Sequence, residues 1–577
     1  MYFTLAVSAA TRQACAALTG AAERTDPRVM PLPGPARVAW RAPGGCATVL
    51  HWGNGDPRDD HNAGTSHAGT IWAEGATVHA RTGLTRVDPV YLAETGGAVV
   101  ISDRAGWAAA VTGRMGDPDP AMIGAFLSLG YPVGAATPFR GVRAVGEDRA
   151  LRLSGGRLVV ARTCREDEPP AGPPQVAAAQ VAAAQVGAGR VAAALTEAVR
   201  PLGGANAPVE LSLTGGKDSR LVAAALTAAR VPFLARTHGF AGHPDVVVAG
   251  LIAGRLGLEH TVTPPRPPGE PGEPDEAGVL RRLRAAVVVS DGMLSAFENL
   301  GGPDPQPTGG PAEAGGHGGE LLRGGYAQAA WRTPAAAAAP LNAAAAAELF
   351  RRMTTRRLGL LRPGPARAYL VTLAPAAAAA LARGPLAALD DFYLANRAGR
   401  WSAAARQAYL LRSPLVQPLF ADRVVRAARA VPLRDRMSDR LHRDVLGSLC
   451  PELLDLPLAG TPWHGQPRTA ATVLTVPPGA AAADWRRDYG DAVAGFLRGY
   501  VLDHGETSPV FGVVRRGAAE RLLRAPQADR QGAWALATLT ALLSGDWLNA
   551  REPADEAVSR GRTASRPARS TARPRRG

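Results

Sequence analysis

A chain of 577 residues is too long for one hydrophobic core, and 46% hydrophobic with 20% charged residues is the composition of a globular protein. The four cysteines lie far apart with no CxxC or Cys/His spacing, which argues against a disulfide framework and a zinc site. The net charge of +15 is partly due to an Arg-rich C-terminus, and no run of 18 or more apolar residues is present. We therefore expect a cytoplasmic protein without membrane or nucleic-acid partners.

The first part of the chain is rich in predicted strands. Short apolar runs such as GGAVVISD (96–103) and RALRLSGGRLVVAR (149–162) are bounded by glycine, serine or aspartate. A helix is predicted after Asp119, which is a suitable N-cap residue. These features predict an α+β domain over residues 1–165. A charged, proline-rich segment and a Val/Gln repeat of high helix propensity follow, and they predict a linker and helix over 166–200.

From Val209 the pattern alternates between strand and helix. VELSL, PFLART and EHTVTPP are predicted strands, and the helical segments between them are rich in alanine, valine and leucine. This alternation is typical of a parallel α/β sheet. The chain then becomes mostly helical to about Ala550, so we predict an α/β domain with a helical extension over residues 201–550. Residues 551–577 are predicted to be disordered.

The stretch VELSLTGGKDSR places a tight glycine loop between a strand and a helix, and it contains Lys217, the only lysine of the chain. Glycines allow backbone N–H groups to converge, and a helix N-terminus favours an anion such as phosphate. Thr214 and Ser219 add hydroxyl groups. Asp218 would repel a bare phosphate, which favours a bridging Mg²⁺. A Walker A loop is excluded because an aspartate follows the lysine and Leu211 stands where its first glycine belongs.

These residues resemble the Ser-Gly-Gly-x-Asp-Ser pyrophosphate loop of the asparagine synthetase family. The resemblance continues in order through HGFAGHPDVVVAGLIAGRLGLEH, through GGHGGELLRGGY (315–326), and through the C-terminal segments SPLVQPLFADRVVRAARAVPL and LHRDVLGSLCPELLDLP. The segment DPAMIGAFLSLGYPVGAATPFRGVRAV resembles the family's N-terminal domain. The resemblance covers most of residues 1–470. It implies an N-terminal-nucleophile-hydrolase-like α+β sandwich followed by a PP-loop domain of the adenine nucleotide α-hydrolase type.

The family's chemistry implies roles for individual residues. A substrate carboxylate would attack ATP, giving an acyl-adenylate and pyrophosphate, and an amine would then form an amide. The residues that would hold ATP are Leu213, Thr214, Gly215, Gly216, Asp218, Ser219, His238, Gly315 and Gly316. Asp218 and Glu320 occupy the positions of the two Mg²⁺-binding acids, so the implied cofactors are ATP and Mg²⁺.

His317 stands where asparagine synthetases have Glu and β-lactam synthetases have a catalytic Tyr. All three side chains can accept a proton, and an imidazole there could deprotonate an attacking amine. The alternative is that His317 only fills a polar, glycine-rich loop.

Two departures from the family pattern affect the expected reaction. Position 2 is Tyr instead of the catalytic Cys that hydrolyses glutamine, and a phenol is not a competent substitute. We therefore expect an inactive glutaminase domain. The family's essential Lys after PELLDLP is also missing. One hypothesis is that Lys217 supplies that charge as a second catalytic residue, and the alternative is that its side chain points away from the loop.

The sequence thus predicts an ATP-dependent, AMP-forming amide ligase that does not hydrolyse glutamine, related to β-lactam synthetases or lasso-peptide macrolactam synthetases. Its expected partner is a small-molecule or peptide carboxylate. A PP-loop enzyme that modifies RNA and a nucleotide-binding pseudoenzyme remain the alternatives.

Overall fold

The computed structural model describes residues 2–23, 37–42, 45–53, 70–163, 177–204, 207–263, 276–298, 311–331, 343–411, 414–475, 493–503 and 508–545. The Arg-rich segment 551–577 and the proline-rich segment of the predicted linker lie outside these ranges.

The first ten strands form two antiparallel sheets. They are β1 (Tyr2–Ala9), β2 (Arg37–Arg41), β3 (Ala47–Gly53), β4 (Thr70–Glu74), β5 (Thr77–Arg81), β6 (Tyr91–Thr95), β7 (Ala98–Ser102), β8 (Val142–Ala144), β9 (Arg149–Ser154) and β10 (Arg157–Arg162). The six-stranded sheet has the order β2-β3-β1-β7-β6-β8, and the four-stranded sheet has the order β10-β9-β5-β4.

The two sheets pack face to face, because alternate residues of their strands are apolar. In β7, Val99 and Ile101 point into the core between the sheets, while Ala98 and Val100 join a second core on the opposite face. All five residues of β7 are buried as a result. The predicted α+β sandwich is confirmed in this part of the chain.

The second unit is built on a five-stranded, all-parallel sheet with the order β13-β12-β11-β14-β15. Its strands are β11 (Val209–Ser212), β12 (Phe233–His238), β13 (His260–Thr263), β14 (Glu313–Gly315) and β15 (Leu415–Val416). The predicted α/β fold is therefore confirmed. Two further short strands, β16 (Leu458–Ala459) and β17 (Val473–Leu474), pair with each other.

Helices cover both sheets and fill the C-terminal part. In chain order they are α1 (Arg12–Glu23), α2 (Ala105–Val111), α3 (Pro120–Leu129), α4 (Ala177–Val199), α5 (Lys217–Ala228), α6 (Pro244–Leu256), α7 (Glu276–Val289), α8 (Gly319–Leu322), α9 (Gly325–Trp331), α10 (Ala343–Thr355), α11 (Pro363–Arg383), α12 (Pro385–Phe392), α13 (Ala403–Leu410), α14 (Asp422–Arg429), α15 (Leu433–Met437), α16 (Arg440–Leu449), α17 (Ala494–Leu502), α18 (Val510–Val513), α19 (Arg516–Arg524) and α20 (Arg530–Ser544). A π-helical segment, Tyr393–Ser402, joins α12 to α13.

The N-terminal and C-terminal units share buried contacts. One apolar core contains residues of β7, α2 and α3 together with residues of α7 and α20. Beside it, the guanidinium of Arg104 binds Asp291 at 2.7 Å, and the two side chains are 1% and 4% exposed. Asp422 accepts hydrogen bonds from the backbone N–H groups of Leu84 and Thr85. The N-terminal unit is thus an integral part of the fold.

One helix in the described part of the chain, α11, is long and apolar enough to cross a bilayer by length and composition alone. It contains Pro375 and packs on α3 through Tyr369 and Leu373, which lie in a shared apolar cluster. A single helix of this kind is weak support for a membrane protein.

Candidate functional site

The segment TGGKDS (214–219), the first loop, follows β11, and the segment GGHGGELLRGGY (315–326), the second loop, begins at the end of β14. The two loops lie side by side because β11 and β14 are neighbouring strands. β11 pairs with β14 in parallel, with Ser212 opposite Gly315. The segments that follow the two strands therefore both leave the sheet at its carboxyl edge. In open parallel sheets ligands bind at this edge, where neighbouring loops diverge.

The first loop is held by side chains of its own and of α6. The N–H of Thr214 donates to Ser219 Oγ at 3.1 Å, and the N–H of Gly215 donates to Asp245 Oδ1 at 3.0 Å. The N–H of Gly216 makes a longer contact of 3.3 Å with Thr214 Oγ1. The sequence predicts that these N–H groups converge on a phosphate, whereas in this structure the side chains of Thr214, Ser219 and Asp245 accept from them.

The donors at the start of α5 are a second feature of the loop. Gly216 is the N-cap residue, and it contributes no side-chain bond to the first turn of the helix. A helix leaves its first N–H groups without intrahelical partners, and its dipole favours an anion there. The first turn of α5 is therefore the most suitable phosphate-binding element of this loop.

The second loop packs directly on this turn. A Cβ atom on Gly316 would lie 2.5 Å from the backbone nitrogen of Ser219, and one on Gly319 would lie 2.1 Å from Asp218 Cγ. No larger residue fits at either position without moving the backbone or the carboxylate. Glycine is thus required here for close approach, which brings the second loop onto the aspartate of the first.

Charged side chains of both loops meet around Asp218. Its Oδ2 accepts a hydrogen bond of 2.6 Å from Arg323 Nη2, and Glu320 exerts a repulsive charge on it. Burial raises the pKa of the Tyr393 phenol well above its ordinary value, and the charge of Glu320 adds to this rise. The two acids predicted to bind magnesium, Asp218 and Glu320, are therefore electrostatic neighbours.

The pKa of Asp218 is raised to about 6, mainly because burial disfavours the ionised carboxylate. Arg323 opposes this rise, and Glu320 adds to it. Asp218 Oδ1 is buried and has no hydrogen-bond partner among the described residues, although His442 Nε2 lies 3.7 Å away.

A buried carboxylate oxygen without a donor, beside a second acid, fits a hard cation such as Mg²⁺. Within the described ranges no group of three or more His, Cys, Asp or Glu could hold a metal by itself. Oxygens of a bound nucleotide or waters would have to complete the coordination.

Lys217 lies on the other side of the α5 turn. Its Nζ is 2.6 Å from Asp439 Oδ2, with side chains 6% and 0% exposed, and it donates to the carbonyl of Pro462 at 2.9 Å. It also lies 4.9 Å from the centre of the Trp463 ring. The ammonium thus ties the loop to a C-terminal segment, a role that sequence interpretation missed. Its predicted catalytic role stays a prediction.

The same C-terminal segment closes over the glycine loop. The N–H of Ala459 donates to the carbonyl of Gly215 at 2.9 Å, and a Cβ on Gly215 would lie 2.6 Å from Ala459 Cβ. This segment follows PELLDLP, where the family pattern has its essential lysine. The chain that would carry that lysine is therefore in contact with the loop, but it presents apolar atoms at Ala459.

His317 follows the second loop's strand and is exposed to solvent. Its pKa is nevertheless lowered because the surrounding protein desolvates it, while the charge of Glu320 opposes the shift. Exposure combined with desolvation is expected in a cleft. The imidazole is neutral at pH 7 and can accept a proton there.

The remaining predicted residues lie around the same edge. Leu213 is buried, and its carbonyl accepts a hydrogen bond of 2.8 Å from Thr237 Oγ1. His238 is exposed at the carboxyl end of β12, the strand next to β11. Every residue predicted to bind ATP or Mg²⁺ therefore belongs to the carboxyl edge of three adjacent strands.

Arg323, Asp439, His442 and Trp463 are site residues that the sequence interpretation missed. His442 is fully buried, and its Nε2 lies 3.2 Å from the carbonyl oxygen of Lys217. Arg323 directly precedes Gly-Gly-Tyr in the second loop. This charged residue could have been recognised from the sequence as a candidate for the site. Asp439, 222 positions from Lys217, gave no comparable signal.

Part of the chain is similar to a known protein family. Residues 190–265 match the model of the asparagine synthase family, described as Asparagine synthase. The matched segment runs from α4 to just beyond β13 and includes the whole first loop, whereas the second loop lies outside it. No curated protein matches the chain. The match over residues 190–265, which contain the first loop, supports membership of the asparagine synthetase family.

Proposed function

We propose that the chain is an ATP-dependent amide ligase that activates a carboxylate as an acyl-adenylate, releases pyrophosphate and transfers the acyl group to an amine without hydrolysing glutamine. The asparagine synthase domain supports an ATP-using ligase or amidation function in general. The observation that carries the finer proposal is the close packing of the second loop on the first turn of α5, where the charge of Glu320 acts on Asp218.

Different residues of the chain would bind the pyrophosphate, hold the metal and accept the proton. The first-turn N–H groups of α5 and the hydroxyls of Thr214 and Ser219 would bind the pyrophosphate portion of ATP. Asp218 and Glu320 would hold Mg²⁺, which supplies charge neutralisation to the leaving pyrophosphate when bound. In the second step His317 would take the proton from the amine nitrogen as the new C–N bond forms and the bond from the acyl carbon to AMP oxygen breaks.

Arg323 supports the same assignment in a different way. Its guanidinium neutralises Asp218, so the carboxylate is held in place at the loop. A triphosphate entering with its metal offers Arg323 a second anionic partner. Exchange of partners would then free Asp218 Oδ2 for the metal.

The test is exchange of labelled pyrophosphate into ATP in the presence of candidate carboxylates. A ligase that adenylates its substrate catalyses this exchange only when the correct carboxylate is present. Asp218→Asn should abolish the exchange, and Arg143→Gln, a change at an exposed pair with Glu94, should not. Exchange that requires RNA would instead support an RNA-modifying enzyme.

A nucleotide-binding protein without chemistry is the second candidate. It is favoured by the loop N–H groups that already have side-chain partners and by the absence of any lysine after residue 217 in the sequence. Such a protein would bind ATP in an equilibrium titration and show no exchange with any carboxylate. Release of ammonia from glutamine, measured on the same preparation, would contradict the proposal that the chain does not hydrolyse glutamine.

A further inference from the structure

Arg397 lies in the π-helical segment Tyr393–Ser402, directly after α12. A π-helix is rare and occurs often at functional sites, since its wider turn re-aims the side chains. In this segment Arg400 points into the core, where it is 1% exposed and donates to the carbonyl of Ala136. Arg397, three residues earlier, is only half-buried.

The guanidinium of Arg397 is held by aromatic rings. Its Cζ lies 3.4 Å from the centre of the Trp401 ring and 5.8 Å from that of Tyr131. Tyr131 belongs to the N-terminal unit, and its hydroxyl is 2.7 Å from that of Tyr326 at the end of the second loop. A guanidinium stacked on a ring keeps its in-plane N–H donors free to point elsewhere.

Those donors have no acceptor in the described chain. Arg397 makes neither a hydrogen bond nor an ion pair there, whereas Arg323 binds Asp218 and Arg406 binds Asp88. Leaving a half-buried charge without an anion is costly, and proteins generally pair such groups or expose them to a ligand. Within the described ranges, Arg397 is therefore a preformed cation that pairs with no anion.

Its position relative to the two loops indicates which ligand it meets. The charged groups acting on His317 are Glu320 and Arg397. The largest charge effects on Asp218 come instead from Arg323, Glu320, Lys217 and Asp439. Through Tyr131, whose hydroxyl contacts that of Tyr326, Arg397 is thus linked to the end of the second loop, and its charge acts on His317 of that loop.

We infer that Arg397, stacked on Trp401 and linked through Tyr131 to Tyr326 of the second loop, is a binding site for a carboxylate group of the substrate. The inference rests on the proposed function, since it assigns the side of that site where the substrate would lie. A carboxylate matches the planar fork of a guanidinium in a bidentate pair. The substrate would thus be anionic, and the N-terminal unit would supply one wall of its site through Tyr131.

The test is chemical modification of arginines in the full chain with phenylglyoxal, followed by peptide mass mapping. Arg397 should react, because it is unpaired and half-buried. Succinate should slow its modification several-fold, whereas ATP with Mg²⁺ should not. Buried Arg400 should stay unmodified, and exposed Arg143 should react at the same rate with every addition.

Equilibrium binding of succinate provides the second measurement. Arg397→Met keeps much of the side-chain volume and should weaken succinate binding by about tenfold, the loss typical of one charge-assisted contact. Arg397→Lys should recover part of the affinity. Thermal unfolding of both variants separates a lost contact from a lost fold.

Three results would overturn the inference. They are an unreactive Arg397, protection by ATP or inorganic phosphate but not by succinate, and unchanged succinate affinity in a folded Arg397→Met protein. In each case pyrophosphate exchange could still be found, and the ligase proposal would stand. Conversely, protection by succinate in a chain that never exchanges pyrophosphate would support the carboxylate site at Arg397 and contradict the ligase proposal.

Discussion

The ammonium of Lys217 lies 2.6 Å from the carboxylate of Asp439, and neither side chain is more than 6% exposed. This contact joins the start of α5 to the residue that precedes α16. Asp439 also accepts hydrogen bonds from Gln328 Nε2 and from the N–H of His464. Its carboxylate is thus the centre of a buried network behind the phosphate loop.

Lys217→Met should lower the free energy of unfolding by about 3–5 kcal/mol, because it leaves Asp439 buried without its cation. Urea denaturation measures this loss. The matched control is Arg200→Met at the exposed pair with Glu197, where the two side chains are 63% and 44% exposed. That change should cost less than about 1 kcal/mol. Equal losses in the two variants would show that the buried pair is not structural.

Lys217→Arg separates a structural from a catalytic role. Arginine keeps a positive charge near Asp439 but cannot approach a crowded phosphate as a compact ammonium does. If Lys217 contributes to catalysis, both Lys217→Arg and Lys217→Ala lose pyrophosphate release, measured by a coupled phosphate assay. Normal release by a folded Lys217→Ala protein would disprove the catalytic role.

Arg323→Gln should increase the affinity for Mn²⁺, used as a probe for Mg²⁺, by about tenfold. The guanidinium lies 2.6 Å from Asp218 Oδ2, so its removal leaves that carboxylate without its neutralising charge. Electron paramagnetic resonance of free Mn²⁺ measures the affinity. Arg351→Gln, at an exposed pair with Glu348, is the control and should change nothing. An unchanged affinity in Arg323→Gln would argue against Asp218 as a metal ligand.

Metal binding should depend on pH through Asp218. Its pKa is raised from 3.8 to about 6, so the carboxylate is protonated below pH 6 and ionised above it. Mn²⁺ affinity should therefore rise with pH around this value and level off above it. Asp218→Asn should bind weakly at every pH, and a wild-type affinity that does not change between pH 5 and pH 7 would contradict this expectation.

The raised pKa of Asp218 also determines how its contribution to the stability of the fold changes with pH. Because the folded state holds the proton more tightly than the unfolded chain, the contribution of Asp218 is greatest below pH 3.8 and is lost as the pH rises through about 6. Asp218→Asn should thus gain stability relative to the wild type above pH 6. Urea denaturation at pH 5 and pH 8 measures the difference.

His317→Gln should separate the two half-reactions. Pyrophosphate exchange should persist, because the glutamine does not alter the phosphate loop, while amide formation should fall by about 100-fold with the loss of the base. His79→Gln, whose ring stacks on Trp72 in the N-terminal sheets, is the matched control. Equal loss of exchange and amide formation would assign His317 to nucleotide binding instead.

The sequence predicted the central elements of the site because their signals are local. The strand before Leu213, the glycines at 215 and 216, and the helix after them are consecutive, and each follows from backbone preference and apolar periodicity. The structure begins α5 at Lys217, so the lysine is part of the helix. Alternating strands and helices also predicted a parallel sheet, in which both loops emerge at one edge.

Local signals could not determine which charges meet. Arg323 binds Asp218, which is 105 positions away in the sequence, and Lys217 binds Asp439, which is 222 positions away. No local residue pattern predicts a pair at such a separation. These pairs depend on how β14 and α16 pack beside β11 and α5.

By itself, then, the sequence determined the fold class, the glycine loop and the resemblance to the asparagine synthetase family, because these depend on short-range spacing. Only the tertiary structure decided that the single lysine binds a buried aspartate, that an arginine neutralises the expected magnesium ligand, and that Arg397 pairs with no anion among the described residues. Electrostatic interactions act through space between distant segments, and packing of the completed fold decides which charges come within a few ångströms of one another.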